Sequence, residues 1–427
     1  MAASPEPRYD VPLTAADRLP NSIEPSRGRV DSIDLLRGIV MVVMMLDHTR
    51  DFVHNAAYQF DPLDPSRTNV ALFFTRWITH FCAPVFVFLA GTGAYLQFAR
   101  GKSKAELSRF LLTRGLWLIV LEVTLVKIGI TFSFDYRFLG FLQVIWVIGV
   151  SMIILGALIH LPLKVVAGFG LLMIALHNLF DSFRVVGWRG PGTPVPGLGA
   201  KLWIVLHQAF DGFPVLGSSS PVVFVIYPLI PWIGVMAVGY AFGALYKLDA
   251  QRRRRWLLII GGSATALFIV VRAINVYGDP FEWSRQKNAV FTVLSFLNTS
   301  KYPPSLLFLL MTLGPSILAL AWFEAGPSAG RIRKFFVTFG RVPLFFYLLQ
   351  WFTAHIISIL LHLAFGKPVG WLFQSPLQLF SGPPRGTGFN LAVVYLSWIV
   401  GVLLLYPLCT WFAAVKQRRR DWWLSYL

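Results

Sequence analysis

Charge is scarce in this chain. Asp, Glu, Lys and Arg make up only 14% of its 427 residues, against about 25% in an average soluble domain. Apolar residues reach 56% and the mean hydropathy is +0.63. That balance excludes a soluble enzyme and a disordered chain. Cysteine is scarcer still. Cys82 and Cys409 both lie inside apolar runs, which excludes a disulfide framework and a cysteine metal cluster. Acidic residues number 20 against 38 basic ones, a net charge of +18. In so apolar a chain this surplus fits cytoplasmic membrane loops. Nucleic acid is not an expected partner, because no aromatic or groove-reading motif accompanies the charge. The phosphate loop GxxxxGK[ST], the zinc motif HExxH and the nucleophile elbow GxSxG are all missing. No His, Cys and carboxylate set stands at convincing metal-ligand spacing, and no metal is expected.

What the chain does have is apolar runs of membrane length, each near the ~20 residues that cross a bilayer. Ten are read: about 35–55, 69–98, 110–131, 138–160, 164–181, 221–246, 256–276, 303–324, 336–363 and 389–415. Long stretches of alternating apolar and polar residues are absent, so no sheet pattern competes. Backbone polar groups in lipid must be satisfied internally, which makes the expected fold an all-α polytopic membrane bundle of about ten helices. Residues 1–30 are polar and rich in Pro, Ser and Arg. They read as a disordered cytoplasmic tail ahead of a transmembrane domain at 31–427.

Basic residues sort by side. With ten crossings, 21 fall on the side of the two ends and 10 on the other, where Arg385 is counted. The richer side includes the tail, Arg252 to Arg255, and the end with Arg418, Arg419 and Arg420. This bias predicts both termini in the cytoplasm. The opposite side carries the long connections 182–220, 277–302 and 364–388, and long loops are where sites tend to be built.

Ionisable groups inside membrane helices are costly and are functional by default. The densest set closes the first helix: Asp47, His48, Arg50, Asp51 and His54. Residues three or four apart share a helix face, so Asp47, Arg50, Asp51 and His54 line up, with His48 beside them and within reach of Asp51. Two imidazoles, two carboxylates and a guanidinium suit acid–base chemistry, a carboxylate orienting a His. A helix end pairing its charges at the water interface would use the same residues. His80 lies on the second run, outward of APVFVFLAGTG, where Gly91-Thr92-Gly93 permits close helix packing. Glu122 is mid-helix and needs a partner or a proton. Arg272 and Glu324 lie near helix ends, from which they could snorkel. At the cytoplasmic helix starts, Arg37, Arg114, Arg331, Arg333 and Arg341 could make a basic mouth for a phosphorylated ligand. Positive-inside anchoring would account for any one of them.

The opening SIDLLRGIVMVVMMLDHTRDFVH at 32–54 resembles the heparan-α-glucosaminide N-acetyltransferase-like family of membrane acyltransferases. APVFVFLAGTGAYL, YPLIPWIGVMAVGYAFG, SKYPPSLLFLLMTLGP at 300–315, GRVPLFFYLLQWF at 340–352 and the ending RRRDWWLSYL are similar too. The likeness implies a bacterial member in the inner membrane. It implies acetyl-CoA as donor from the cytoplasm and a saccharide amine or hydroxyl as acceptor across the membrane. His48 falls where relatives carry a polar residue at the end of this helix. Gap-free counting sets the family's catalytic His near Gln59, and His54 is the nearest histidine. Gln350 stands where many relatives have a His.

The leading expectation is therefore an acyl-CoA-dependent N- or O-acyltransferase. His48 or His54 is the general base, oriented by Asp47 or Asp51. Arg37, Arg114 and Arg341 are expected on the donor. Arg50, His80, Lys301 and Tyr302 are expected on the acceptor. Membrane lipid and a homodimer complete the partners this reading allows. A proton-coupled small-molecule transporter is the rival, with Asp47, His48, Glu122 and Lys127 as its path. No internal repeat favours it.

Overall fold

In the computed structural model, described for residues 30–217, 219–326, 330–378, 384, 386–419 and 421–426, each of the ten apolar runs holds a helix. The expected disordered tail lies outside the described residues apart from Val30, as do Arg385 and Arg420. In chain order the helices begin with α1 Asp31–Val53, α2 Val70–Trp77, α3 Cys82–Ala99, α4 Lys104–Leu121 and α5 Lys127–Thr131. There follow strand β1 Phe138–Leu142, α6 Val144–Leu158, α7 Leu163–Leu176 and α8 Leu198–His207. Strands β2 Asp211–Pro214 and β3 Val222–Val225 precede α9 Trp232–Phe242, α10 Ala250–Ile274 and α11 Ala289–Leu297. The chain then forms α12 Leu306–Ala325, α13 Arg331–Arg341, α14 Pro343–Ala364 and α15 Leu391–Arg418.

Six helical stretches among the described residues are long and apolar enough to cross a membrane: Val70–Ala99, Leu163–Phe180, Ala250–Ile274, Leu306–Ala325, Pro343–Ala364 and Leu391–Arg418. The protein is a multi-pass membrane protein, and it is mostly helical. Helix starts are set by local chemistry. Asn69, Asp249, Asn288, Ser305 and Asn390 each accept a backbone N–H of the turn they open. Ser103 and Glu106 form a reciprocal capping box at the start of α4.

A small sheet departs from the all-helical expectation. Its order is β1-β3-β2, with β3 parallel to β1 and antiparallel to β2. The segments Phe138–Leu142 and Val222–Val225 are apolar and four or five residues long. Each runs into an apolar helical stretch, so periodicity alone cannot separate strand from helix there.

Helix α1 is buried along nearly its whole length. It packs on α13, α14, α15 and α3. The approach to α13 is too close for a side chain: a Cβ on Gly38 would stand 1.8 Å from the Phe336 carbonyl oxygen, and one on Gly340 would stand 1.8 Å from that of Asp34. Gly91 meets α9 in the same way, 2.1 Å from the Met236 carbonyl oxygen, whereas Gly93 has open space. The Gly91-Thr92-Gly93 segment thus serves packing, and Thr92 Oγ1 donates to the Gly239 carbonyl at 3.0 Å. Gly38→Ala is expected to push α1 off α13 at a cost of about 2 kcal/mol. The check is a thermal melt of the purified variant in detergent, with a midpoint several degrees below the parent's.

Several ionisable groups find structural partners. Glu122 sits in a π-helical turn, Glu122–Val126, that joins α4 to α5. Its Oε2 accepts the Trp146 N–H at 2.9 Å, so this carboxylate caps the first turn of α6 from a neighbouring helix. Lys127 Nζ donates to the Ser133 carbonyl at 2.5 Å and lies over the Tyr136 ring. Two members of the transporter path are thereby accounted for by local contacts. Glu324 is paired with Arg253 at 2.9 Å. Arg272 does not snorkel to water. It is 1% exposed and donates to the carbonyls of Phe296, Phe281, Ser295 and Asn298. Helix continuation stops at Asn275, whose φ is 60°, and the connection that follows folds back onto this guanidinium.

Candidate active site

The end of α1 opens on a cavity of about 880 Å3, within the range of small-molecule sites. Residues between 54 and 63, between 181 and 211, and at 280–281 and 298–303 contribute to its lining, with Phe141 of β1. Eight residues singled out from the sequence line it: Asp47, His48, Arg50, Asp51, His54, His80, Lys301 and Tyr302. Arg37, Arg114 and Arg341 are not in its lining.

Asp47 is the hub. Its Oδ2 accepts from Arg76 Nη1 and lies 4.0 Å from Lys301 Nζ. Its Oδ1 lies 3.0 Å from Arg50 Nη2, an ion pair without hydrogen-bond alignment. The same Arg50 nitrogen donates to Asp51 Oδ1 at 2.5 Å. Arg76 goes on to Thr79 Oγ1 at 3.2 Å and to the Tyr302 hydroxyl at 3.5 Å. One buried carboxylate therefore gathers three cations from α1, α2 and the 277–302 connection. The expected carboxylate–imidazole pairing is not what forms: among the described residues Asp47 and Asp51 bond guanidinium groups, and neither bonds a histidine ring.

His48 is held by other means. Its ring stacks on Trp351 of α14 at 3.6 Å between centroids, 18° from parallel. The Gln350 side chain stands beside it, and its Nδ1 is buried without a hydrogen-bond partner among the described residues. His54 closes the helix differently: its Nδ1 accepts the Ala56 N–H at 3.2 Å. His80 is fully buried, edge-on to Phe308, and neither ring nitrogen has a hydrogen-bond partner among the described residues.

Lys301 and Tyr302 are presented by the connection that Arg272 organises. Asp279 ties its far end, with Oδ2 accepting the Ser300 N–H at 2.8 Å and the Ser305 hydroxyl at 2.6 Å. Burial alone would raise the Tyr302 phenol, but Lys301 and Arg76 outweigh it and hold the group below the usual tyrosine range. Arg272→Met is expected to leave buried carbonyls unsatisfied and to cost about 2–3 kcal/mol. Limited proteolysis should then cut between 277 and 300 in the variant and spare the parent. Two residues at positive φ, Tyr58 (61°) and Phe210 (59°), also line the cavity. Such backbone strain in non-glycine residues gathers at functional sites.

Arg76 was not picked out from the sequence, nor were Trp351 and Gln350 assigned to His48. For Arg76 a signal existed, an arginine within an apolar run. For the other two none did, because α14 meets α1 only in the fold.

At the opposite end of α1, Arg37 donates to Asp34 Oδ1 at 3.1 Å and to the Gly340 carbonyl at 3.4 Å. Arg341 pairs with Asp31 at 3.8 Å. Arg114 on α4 feels the Arg37 charge.

A comparison with protein families matches residues 29–274 to the family described as heparan-alpha-glucosaminide N-acetyltransferase, catalytic. None of the curated proteins compared with the chain matches it. The family match covers more than half the sequence and takes in α1, the whole 47–54 cluster, Arg76 and His80. The chain belongs to the heparan-alpha-glucosaminide N-acetyltransferase family, and is a transmembrane acyltransferase.

Proposed function

We propose that the protein transfers an acetyl group from cytoplasmic acetyl-CoA to an amine or hydroxyl of a saccharide held in the cavity beyond α1, with His48 as general base. The observation that carries this reading is the environment of His48. Its ring lines a cavity rich in charge, is fixed by stacking on Trp351, and keeps a nitrogen, Nδ1, without a hydrogen-bond partner among the described residues. The acceptor nitrogen or oxygen forms a bond to the thioester carbonyl carbon, the C–S bond breaks, and CoA leaves as its thiolate. His48 takes the proton that the acceptor loses. Arg50, Lys301 and Tyr302 offer donors to acceptor oxygens, and Asp51 offers an acceptor for its hydroxyls.

The donor's phosphates are proposed to sit with Arg37, Arg114 and Arg341, at the end of α1 away from the cavity. Buried polar atoms support a path from there. The Tyr347 hydroxyl, the Gln350 amide and the Trp351 indole N–H are buried and make no well-aligned hydrogen bond among the described residues, although Gln350 stands beside His48 and Trp351 beside Tyr347. They follow one another along α14, which begins just after Arg341. An arm carrying amides would satisfy such groups. The bias of Lys and Arg supports this end facing the cytoplasm.

The test is CoA release by purified protein in lipid nanodiscs, given acetyl-CoA and a panel of amino sugars and their N-acetylated or deaminated forms. Acceptor-dependent release is the expected result. If no acceptor releases CoA, and the same protein instead carries solutes across proteoliposomes without a donor, the reading fails.

A further inference from the structure

At the rim of the cavity, three residues converge that the proposed acetyl transfer does not use. His177 opens the short 3-10 turn after α7, Asp181 follows four residues later, and His207 ends α8. Both histidines are buried, at 2% and 3% exposure. One ligand atom from each of the three residues lies within 4.8 Å of the others. His177 Nδ1 and His207 Nε2 are 3.3 Å apart, and His207 Nε2 is 3.8 Å from Asp181 Oδ1.

We propose that His177, Asp181 and His207 bind a divalent transition ion, zinc fitting best, with a fourth position open to the cavity. Two nitrogens bound to one tetrahedral zinc at about 2.0–2.1 Å lie about 3.3–3.4 Å apart. The imidazole pair already has that separation. The Asp181 carboxylate oxygen stands 3.8 Å from His207 Nε2 and within 4.8 Å of the His177 nitrogen, so its side chain has to turn inward to complete the set. Two His and one carboxylate are a donor set that zinc takes in sites that keep an open position.

Neighbouring groups hold the three in place. Asn178 Nδ2 donates to Asp181 Oδ2 at 2.7 Å, and this leaves Oδ1 for the histidines. The same Asn178 accepts the Leu306 N–H at 2.9 Å, which ties the turn to the start of α12. Trp203 stacks on His207 at 5.3 Å and 24°. Groups that orient metal ligands in this way are a regular part of metal sites. Asp181 and His207 line the cavity, so a water or a substrate oxygen can reach the fourth position from that side. The site is independent of the acetyl-transfer assignment, since none of its three ligands takes part in that chemistry.

The experiment uses the full-length protein with its affinity tag removed, in detergent, stripped with a chelator and then given zinc chloride or cobalt chloride. About one zinc per chain is expected by elemental analysis. Cobalt should give the intense visible bands of a tetrahedral nitrogen–oxygen site, and zinc should raise the thermal midpoint of the stripped protein. Asp181→Asn and His207→Gln should each abolish the stoichiometric zinc and the zinc-dependent rise, while matching the melt of the stripped parent. Should either variant fail to fold, the cobalt spectrum of the parent decides. The proposal is overturned if the stripped parent takes up no zinc and gives only the pale octahedral cobalt spectrum. It is also overturned if both folded variants bind zinc as the parent does. In that event the His207 Nε2–H bond to the His177 carbonyl, at 3.1 Å, accounts for the cluster.

Discussion

His48→Ala is expected to lower acetyl transfer by about 10²–10⁴-fold, the contribution typical of a positioned general base. The substitution removes an imidazole that lines the cavity and is stacked on Trp351 of α14. CoA affinity should change little, because the proposed phosphate contacts lie at the far end of α1. The loss therefore falls on kcat. His54→Ala is expected to lower the rate about tenfold or less, since His54 Nδ1 already accepts a backbone N–H at the helix end. Steady-state CoA release by the two variants checks both. If His54→Ala loses the larger factor, the base is His54, and the five-residue offset from the family's His is closed by local chain geometry.

Asp47→Ala is expected to be the most destabilising single change near the site. It leaves Arg50, Arg76 and Lys301 facing each other in a buried space without the carboxylate that neutralises them. Removing one partner of a buried ion pair costs about 3–5 kcal/mol, which is a large part of the stability of a typical domain. The double variant Asp47→Asn, Arg76→Gln should recover part of the loss, because it removes one of the stranded cations. Thermal melts of the single and double variants check this. Equal midpoints for the parent and Asp47→Ala would mean that the cluster is solvated.

Much of the site could be seen in the sequence because α1 concentrates it. Asp47, Arg50, Asp51 and His54 share a face by helix spacing alone, and the fold turns that face to the cavity. Glu122 could be flagged as needing a partner, but that partner is a backbone N–H of α6, invisible before two helices meet. Arg272 looked like an interfacial side chain because it lies near a helix end. Only the return of the 277–302 connection shows that it binds four carbonyls. The strands were hidden because apolar residues of β1 and β3 continue into apolar helices. His177, Asp181 and His207 carry a signal in the i, i+4 pair, yet the third residue lies 30 positions on, beyond any local spacing rule.

The central claim is that the donor enters at one end of α1 and reacts at the other. A density map of the protein with CoA bound tests it most directly. The account predicts CoA phosphates among Arg37, Arg114 and Arg341, the arm along Tyr347, Gln350 and Trp351, and the sulfur beside His48. Phosphates held in the outer cavity by Arg76 and Lys301, or a sulfur remote from His48, would contradict it.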